Sequence, residues 1–398
     1  MSHPARWLAI LVLWGCAEPS AAPPAPAEEV AVAPAQADAA RGHERMAELQ
    51  CQRCHEGTAL PVVSQAQRCV GCHQDILGGD FDAPPASVRA WRHTLVSLNH
   101  APALDRLGAR LRPDWIARFL RRPHDVRPGL PATMPRLPMT EEDARDIAAA
   151  LTEDAAPLAS PPPTEESVPT GLALIEGRGC LGCHRFSQVR ESTPTMGGAA
   201  EALAPDLRHT RERMSEAMLL RWLEDPSAVH PGTLMPSPAL EEAERRAVAN
   251  ALLNAPLQAT SPPRVPERLP VLERPVRFAE VSERVFSRTC WHCHADPDFA
   301  RGDGGAGNTG GFGYPGRGVN LMDYAGVSSG YLDTEGERRS MFADDDGTPH
   351  LVRVLMARHA EEAGSFDDAV TGMPLGLPPV SLEEIQLVET WIAQGRPN

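Results

Sequence analysis

The spacing of apolar residues along the chain predicts a series of short helices. Apolar side chains recur every three or four positions in 115–122 and in 218–225, and a proline ends each segment. The same spacing predicts helices over 140–151, 241–253 and 381–394. Segments that alternate between apolar and polar residues, as half-buried strands do, are sparse. The pattern therefore predicts a mostly α protein.

Residues 1–16 have the character of an export signal. A positively charged start, Met1–Arg6, precedes the apolar run Trp7–Trp14, which is too short to span a bilayer as a mature helix. The run ends at Gly15 and Cys16, which resembles a bacterial lipoprotein signal whose cysteine becomes lipid-modified. The alternative is an ordinary signal peptide with an incidental cysteine. We expect the mature chain in the periplasm or cell envelope, attached to a membrane through the lipid.

Proline-rich stretches divide the rest of the chain. Residues 17–40 are rich in Ala, Pro and Glu and predict a disordered tether. The stretches 155–170 and 256–278 lack apolar periodicity, which is typical of linkers. They separate three blocks of ordinary domain size. Block one is 41–154, block two is 171–255, and block three is 279–398 with a Gly-rich insertion over 301–318.

The charge of the chain excludes one class of partner. The formal net charge is −15 at pH 7, and the 38 basic residues are all arginine. A nucleic-acid binder needs a positively charged surface for phosphate contacts, so we predict no nucleic-acid partner. An acidic surface suits docking to a basic patch on another protein.

The cysteines follow a strict rule. There are nine, and all except Cys16 form Cys-x-x-Cys pairs with a histidine directly after each pair. The four motifs are Cys51/Cys54 with His55, Cys69/Cys72 with His73, Cys180/Cys183 with His184, and Cys290/Cys293 with His294. A framework of structural disulfides gives no reason for a histidine after every pair.

The Cys-x-x-Cys-His motif is the attachment site of c-type haem. Its two thiols form thioethers with the porphyrin vinyl groups, and the adjoining histidine supplies one axial ligand of the iron. Zinc is the main alternative, because Cys51/Cys54 and Cys69/Cys72 have spacings near those of zinc ribbons. Zinc, however, does not require a histidine after all four pairs. The sequence therefore predicts four covalent haem c groups.

The blocks repeat one plan around these motifs. Gly42 and Gly171 each lie nine residues before the first cysteine of a motif, within predicted helices. A Met-Pro step and a final helix follow in every block; the steps begin at Met134, Met235 and Met373. A methionine thioether is a suitable second axial ligand for haem iron, and histidine–methionine ligation raises the reduction potential.

These features together resemble class I cytochrome c. That family has an N-terminal helix leading into Cys-x-x-Cys-His, a distal methionine on a later loop, and a C-terminal helix crossing the N-terminal one. The resemblance covers most of 41–398. It implies three cytochrome c-like helical domains in tandem, joined by Pro-rich linkers, with two haems in block one and one in each other block.

The axial ligands are assigned by position along the repeat. His55 is paired with Met134, His184 with Met235, and His294 with Met373. The motif at Cys69 has no Met-Pro step of its own. Its second ligand is left open among His93, His100 and Met139. Five further histidines are interpreted as structural; they are His124, His209, His230, His350 and His359.

The predicted function is electron transfer through four haems outside the cytoplasm of a bacterium. The expected partners are redox proteins, either membrane complexes or other cytochromes. Two alternatives remain: a cytochrome subunit of a membrane oxidoreductase complex, or a haem enzyme such as a peroxidase. An enzyme would need at least one iron with an open or displaceable distal position.

Overall fold

The computed structural model describes residues 36–64, 67–93, 95–130, 134–155, 158, 167–259, 261, 264–294, 318–333, 335–343 and 346–398. The predicted signal peptide with Cys16, most of the predicted tether, and the Gly-rich insertion apart from Gly318 lie outside these residues. Among the described residues, no helix is both long and apolar enough to cross a membrane.

Block one contains five α-helices. They are α1 Ala39–Glu48, α2 Cys69–Gly78, α3 Pro85–Arg92, α4 Pro113–Arg121 and α5 Glu141–Ala150. The start of α5 is set locally by a capping box. The Thr140 hydroxyl accepts from the Asp143 amide at 3.0 Å, and the Asp143 carboxylate accepts from the Thr140 amide at 2.8 Å.

Block two contains six α-helices, three of them very short. They are α6 Val168–Gly177, α7 Gly198–Leu203, α8 Thr210–Arg213, α9 Glu216–Glu224, α10 Pro226–Val229 and α11 Glu242–Asn254. Pro226, which ends the predicted helix over 218–225, occupies the first turn of α10, where its missing amide hydrogen is not needed.

Block three begins with a short helix that continues as a π-helix. Helix α12, Phe278–Val281, leads into the π-helix Ser282–Cys290. The later helices are α13 Tyr324–Ser329, α14 His350–Glu362 and α15 Leu382–Ala393. Two short antiparallel strands, β1 Tyr331–Leu332 and β2 Arg338–Arg339, pair with Tyr331 opposite Arg339. The prediction of a mostly α protein is confirmed.

Three separate hydrophobic cores lie within the compact unit Ala37–Asn398. Each core draws its buried residues from one block, and that of block three adds Val276 and Phe278 from the end of the preceding predicted linker. Representative members are Met46, Ile116 and Ile147 in block one, Ile175, Leu219 and Val248 in block two, and Val281, Phe286 and Trp391 in block three.

Glycines allow the first and last helices of blocks one and two to cross closely. A Cβ added at Gly42 would lie 2.1 Å from the carbonyl oxygen of Asp146 on α5. A Cβ added at Gly171 would lie 2.0 Å from the carbonyl oxygen of Ala247 on α11. Any side chain at either glycine would therefore push the helices apart. The two glycines that the repeat aligned have the same packing role.

The structure corrects three boundaries of the predicted tether and linkers. Helix α1 begins at Ala39, inside the tether, because the Asp38 side chain caps it and accepts from the Arg41 amide at 3.1 Å. Helix α6 begins at Val168, inside the first linker, after the capping residue Ser167. The Ala-, Pro- and Glu-rich composition of these stretches does not reveal the local caps at Asp38 and Ser167.

The end of the second predicted linker is bound to block three. The Leu272 amide donates to the Thr390 hydroxyl at 2.9 Å, and the Val276 amide donates to the Gln394 side chain at 2.9 Å. Val276 is fully buried. Residues 272–276 therefore extend block three along α15. Without regular periodicity, this segment could not be distinguished from a free linker in the sequence.

Candidate functional site

The four Cys-x-x-Cys-His motifs occupy tight helical turns. The first and third motifs form 3₁₀ turns, Cys51–Arg53 and Cys180–Gly182, each preceded by a residue in the left-handed conformation. The second motif opens α2, and the fourth ends the π-helix. Each turn brings the two thiols and the histidine to one part of the surface, as covalent attachment of one flat group requires.

The motif cysteines are free thiols, and none is paired in a disulfide. All eight are half-buried; they are Cys51, Cys54, Cys69, Cys72, Cys180, Cys183, Cys290 and Cys293. At the third motif, Cys183 directly follows the 3₁₀ turn, and its amide donates to the Cys180 carbonyl at 3.3 Å. The turn thus fixes the spacing of these two cysteines without a bond between their sulfurs. Thioether attachment at Cys183, as at the other seven, stays a prediction.

Three motif histidines are oriented by main-chain carbonyls. Nδ1 of His55 lies 2.8 Å from the Pro102 oxygen, and Nδ1 of His184 lies 2.8 Å from the Pro205 oxygen. Nδ1 of His73 lies 3.3 Å from the Ser97 oxygen. A carbonyl only accepts, so each Nδ1 carries the proton and each Nε2 keeps its lone pair. This is the arrangement that orients a histidine for metal binding.

Burial keeps the motif histidines neutral near pH 7. It lowers the pKa of His55, His73 and His184 below the ordinary value. At His294 burial lowers the pKa to about 4. A neutral imidazole is the form that binds a metal.

Each Met-Pro methionine packs against the same core as the motif with which it was paired. Cys51 and Met134 contact the core of block one, Cys180 and Met235 that of block two, and Cys290 and Met373 that of block three. This shared packing agrees with the pairing predicted from position, although it places no methionine directly on a histidine.

The Met-Pro loops of blocks one and three are linked by an arginine. Arg136, two residues after Met134, donates to the Val370 carbonyl at 2.8 Å, three residues before Met373. Its Nε lies 3.1 Å from the Glu361 carboxylate, and these two side chains are only 9% and 6% exposed. The hydrogen bond thus joins the two loops, and the buried ion pair joins Arg136 to the end of helix α14.

The second motif lies outside the three cores. Its helix α2 packs with α3, and the buried residues of this pair are Val70, Ile76 and Val88. The three ligands proposed for it from the sequence lie in different environments. His93 and His100 are exposed, and Met139 packs against the core of block one. The described contacts bring none of these three side chains to His73.

The motifs are neighbours in an order that differs from the chain order. The Cys54 and Cys69 thiols are hydrogen-bonded, which raises the pKa of Cys54 and lowers that of Cys69. The centroids of the His73 and His292 rings are 6.3 Å apart, which joins the second motif to the fourth. The second motif is thus the neighbour of both the first and the fourth.

Three arginines gather near the histidines of the first and third motifs. Charges on Arg127 and Arg213 act on His55 and His184 respectively, and Arg110 acts on Arg213. Burial, followed by the proximity of Arg127, lowers the pKa of Arg213 to about 10. Burial also lowers the pKa of Arg110 and Arg127.

The arginine cluster has unused hydrogen-bonding capacity. The buried Nε atoms of Arg110 and Arg213 have no hydrogen-bond partner among the described residues. Leaving a buried cationic donor unpaired is costly, so the arrangement calls for an anion. Haem carries two propionate groups, and arginine binds carboxylates through paired hydrogen bonds. The residues around the first and third motifs therefore fit haem.

A separate cluster of possible metal ligands lies between blocks one and two. It consists of His124, His209 and Glu212, and no cysteine belongs to it. His209 Nδ1 lies 2.6 Å from Glu212 Oε1, and Arg208 Nε donates to His209 Nε2 at 3.0 Å. Both nitrogens of His209 are thus already satisfied. The motif cysteines, all within the described residues, form no comparable three-ligand group.

Comparison with protein-family models, with curated proteins and with solved structures found no match in any of the three cases.

Proposed function

We propose that the chain is a multihaem c-type cytochrome that transfers electrons through four covalent haems. In this proposal the three blocks are class I cytochrome c-like units, the first carrying two haems. The protein is exported and held at the bacterial cell envelope by a lipid on Cys16. Its partners are other redox proteins.

One recurring observation carries the proposal. A motif with two free thiols is followed by a neutral histidine, and in the first three motifs a main-chain carbonyl accepts from its Nδ1. The thiols would form the thioethers, and Nε2 of each motif histidine would bind iron. The bound haem supplies the one-electron redox chemistry.

The chain itself contributes orientation, burial and charge. Met134, Met235 and Met373 are the proposed distal ligands, each packed against the core that its motif contacts. The Trp222 indole N–H lies 2.9 Å from the Met235 sulfur, which orients that thioether. Arg110, Arg127 and Arg213 would bind propionates of the haems at the first and third motifs. Their positive charge stabilises the reduced state there.

The first test is haem stoichiometry. The chain would be produced in a host with cytochrome c maturation, and pyridine haemochrome absorbance would be combined with intact mass. Four covalent haems per chain are expected. Three haems would refute the assignment of one motif, which Cys-to-Ala pairs at each motif would identify. Absence of haem with zinc bound instead would overturn the proposal.

The same preparation separates an electron carrier from a haem enzyme. If histidines and methionines fill all axial positions, ferrous protein binds carbon monoxide slowly and weakly. Rapid stoichiometric binding to one resting haem would favour the peroxidase-like alternative, because an enzyme needs an open iron position.

A further inference from the structure

The second motif lacks an assigned distal ligand, and one histidine from another block lies beside it. His292 occupies a variable position of the fourth motif, between Cys290 and Cys293. Its ring centroid is 6.3 Å from that of His73, and the ring planes are inclined by 40°. Both rings are half-buried.

This separation is compatible with two imidazoles on opposite sides of one metal. A metal–imidazole bond is about 2 Å long, and a ring centroid lies about 1.15 Å from its nitrogen, so the two centroids lie about 6.3 Å apart. Two such rings would share the ligand axis and could rotate about it, so an inclination of 40° between the ring planes is compatible with this arrangement. Direct ring stacking would bring the centroids closer, as at Tyr331 and His350, which stack at 4.8 Å.

The orientation of His73 agrees with this geometry. Its Nδ1 lies 3.3 Å from the Ser97 carbonyl, which leaves Nε2 on the other side of the ring as the metal-binding atom.

We propose that His292 is the distal iron ligand of the haem attached at Cys69 and Cys72. The inference rests on the proposed function. The haem would have bis-histidine ligation and hence the lowest reduction potential of the four. Because the ligand comes from block three, binding this haem would also join blocks one and three.

The test compares His292→Ala and His292→Met with the wild-type protein, all loaded with haem. The matched control Trp291→Phe changes the other variable position of the same motif. Intact mass first establishes that four haems remain. His292→Ala is expected to convert one haem to a five-coordinate high-spin form and to raise carbon monoxide binding by one haem per chain. His292→Met should restore a six-coordinate low-spin haem with a higher potential than in the wild type.

A double variant, His93→Ala with His100→Ala, tests the alternative distal ligands that the sequence offered. It should keep the bis-imidazole signal in the ferric electron paramagnetic resonance spectrum. Loss of that signal, or an unchanged spectrum in His292→Ala with four haems attached, would overturn the assignment to His292. If a His292 variant attaches fewer haems, the double variant still decides between these ligands. Absence of haem from the wild-type chain is a different result, because it refutes the proposed function itself.

Discussion

The close crossing of α6 and α11 gives a prediction that does not depend on any cofactor. Replacing Gly171 by Ala would place a Cβ 2.0 Å from the Ala247 oxygen and 2.6 Å from the Ala251 Cβ. The first of these atoms is backbone, so it cannot turn aside as a flexible side chain would. The two helices must therefore separate, which loosens the packing around the buried residues Ile175 and Val248.

The expected loss follows from two opposing effects. Overpacking a close interface costs roughly 1–3 kcal/mol, and the backbone clash at Gly171 argues for the upper end. Replacing Gly by Ala inside a helix returns up to about 1 kcal/mol. We expect Gly171→Ala to destabilise block two by about 2 kcal/mol. The control Gly177→Ala, on the same helix with no atom within 4 Å of the new Cβ, should be neutral or stabilising.

The assay must report on block two alone, because the chain has three cores. Hydrogen–deuterium exchange of peptides from α6 and α11 measures the local opening free energy, and a urea midpoint measures the overall effect. Gly171→Ala should accelerate exchange in both helices while Gly177→Ala does not. Equal protection in the two variants would refute the close-crossing argument.

Three further predictions concern charge. Arg213→Gln should lower the reduction potentials of the haems at the first and third motifs. A loss of roughly 1–2 kcal/mol of electrostatic stabilisation corresponds to a decrease of about 40–90 mV in potential. Protein-film voltammetry measures this decrease, and Arg190→Gln, which removes an exposed ion pair, is the control. Burial raises the pKa of Asp146, but hydrogen bonds from Arg41 and a main-chain amide outweigh it and hold the pKa below 3.8. The stability from Asp146 is thus present above that pH and lost below it, so Asp146→Asn should flatten the acid side of a urea-midpoint profile, and an unaltered profile would contradict the argument. Arg136→Ala removes one of the two arginines that pair with the buried Glu361 carboxylate, the other being Arg358, and should cost about 2 kcal/mol in urea unfolding, with weaker iron–methionine absorbance; a change under about 0.5 kcal/mol would count against the ion pair.

Several helices could be predicted because their determinants are local. The predicted segment 140–151 agrees with α5 to within one residue at each end, because Thr140 and Asp143 form a capping box within one turn. Helix α14 was missed, although Leu351, Val352 and Leu355 line its buried face. The insertion over 301–318 interrupts the repeat in block three, so the spacing seen in blocks one and two did not predict a helix between the Cys-x-x-Cys-His motif and the Met-Pro step of block three.

The sequence by itself determined the chemistry of attachment. A Cys-x-x-Cys-His motif needs only one turn of chain, so its residues are adjacent and their spacing can be read directly. The repeat also aligned Gly42 with Gly171, and the structure gives both glycines the same close helix crossing. Short-range geometry can therefore be recognised from the spacing of residues along the chain.

Only the tertiary structure decided which distant groups meet. The contact of His73 with His292 joins residues more than two hundred positions apart, and neither residue has a local feature that indicates the other. The arginine cluster likewise combines side chains from blocks one and two, and the unpartnered Nε atoms of Arg110 and Arg213 become visible only when these side chains are buried together. Long-range packing brings these groups together, and packing depends on the whole set of cores rather than on any single motif.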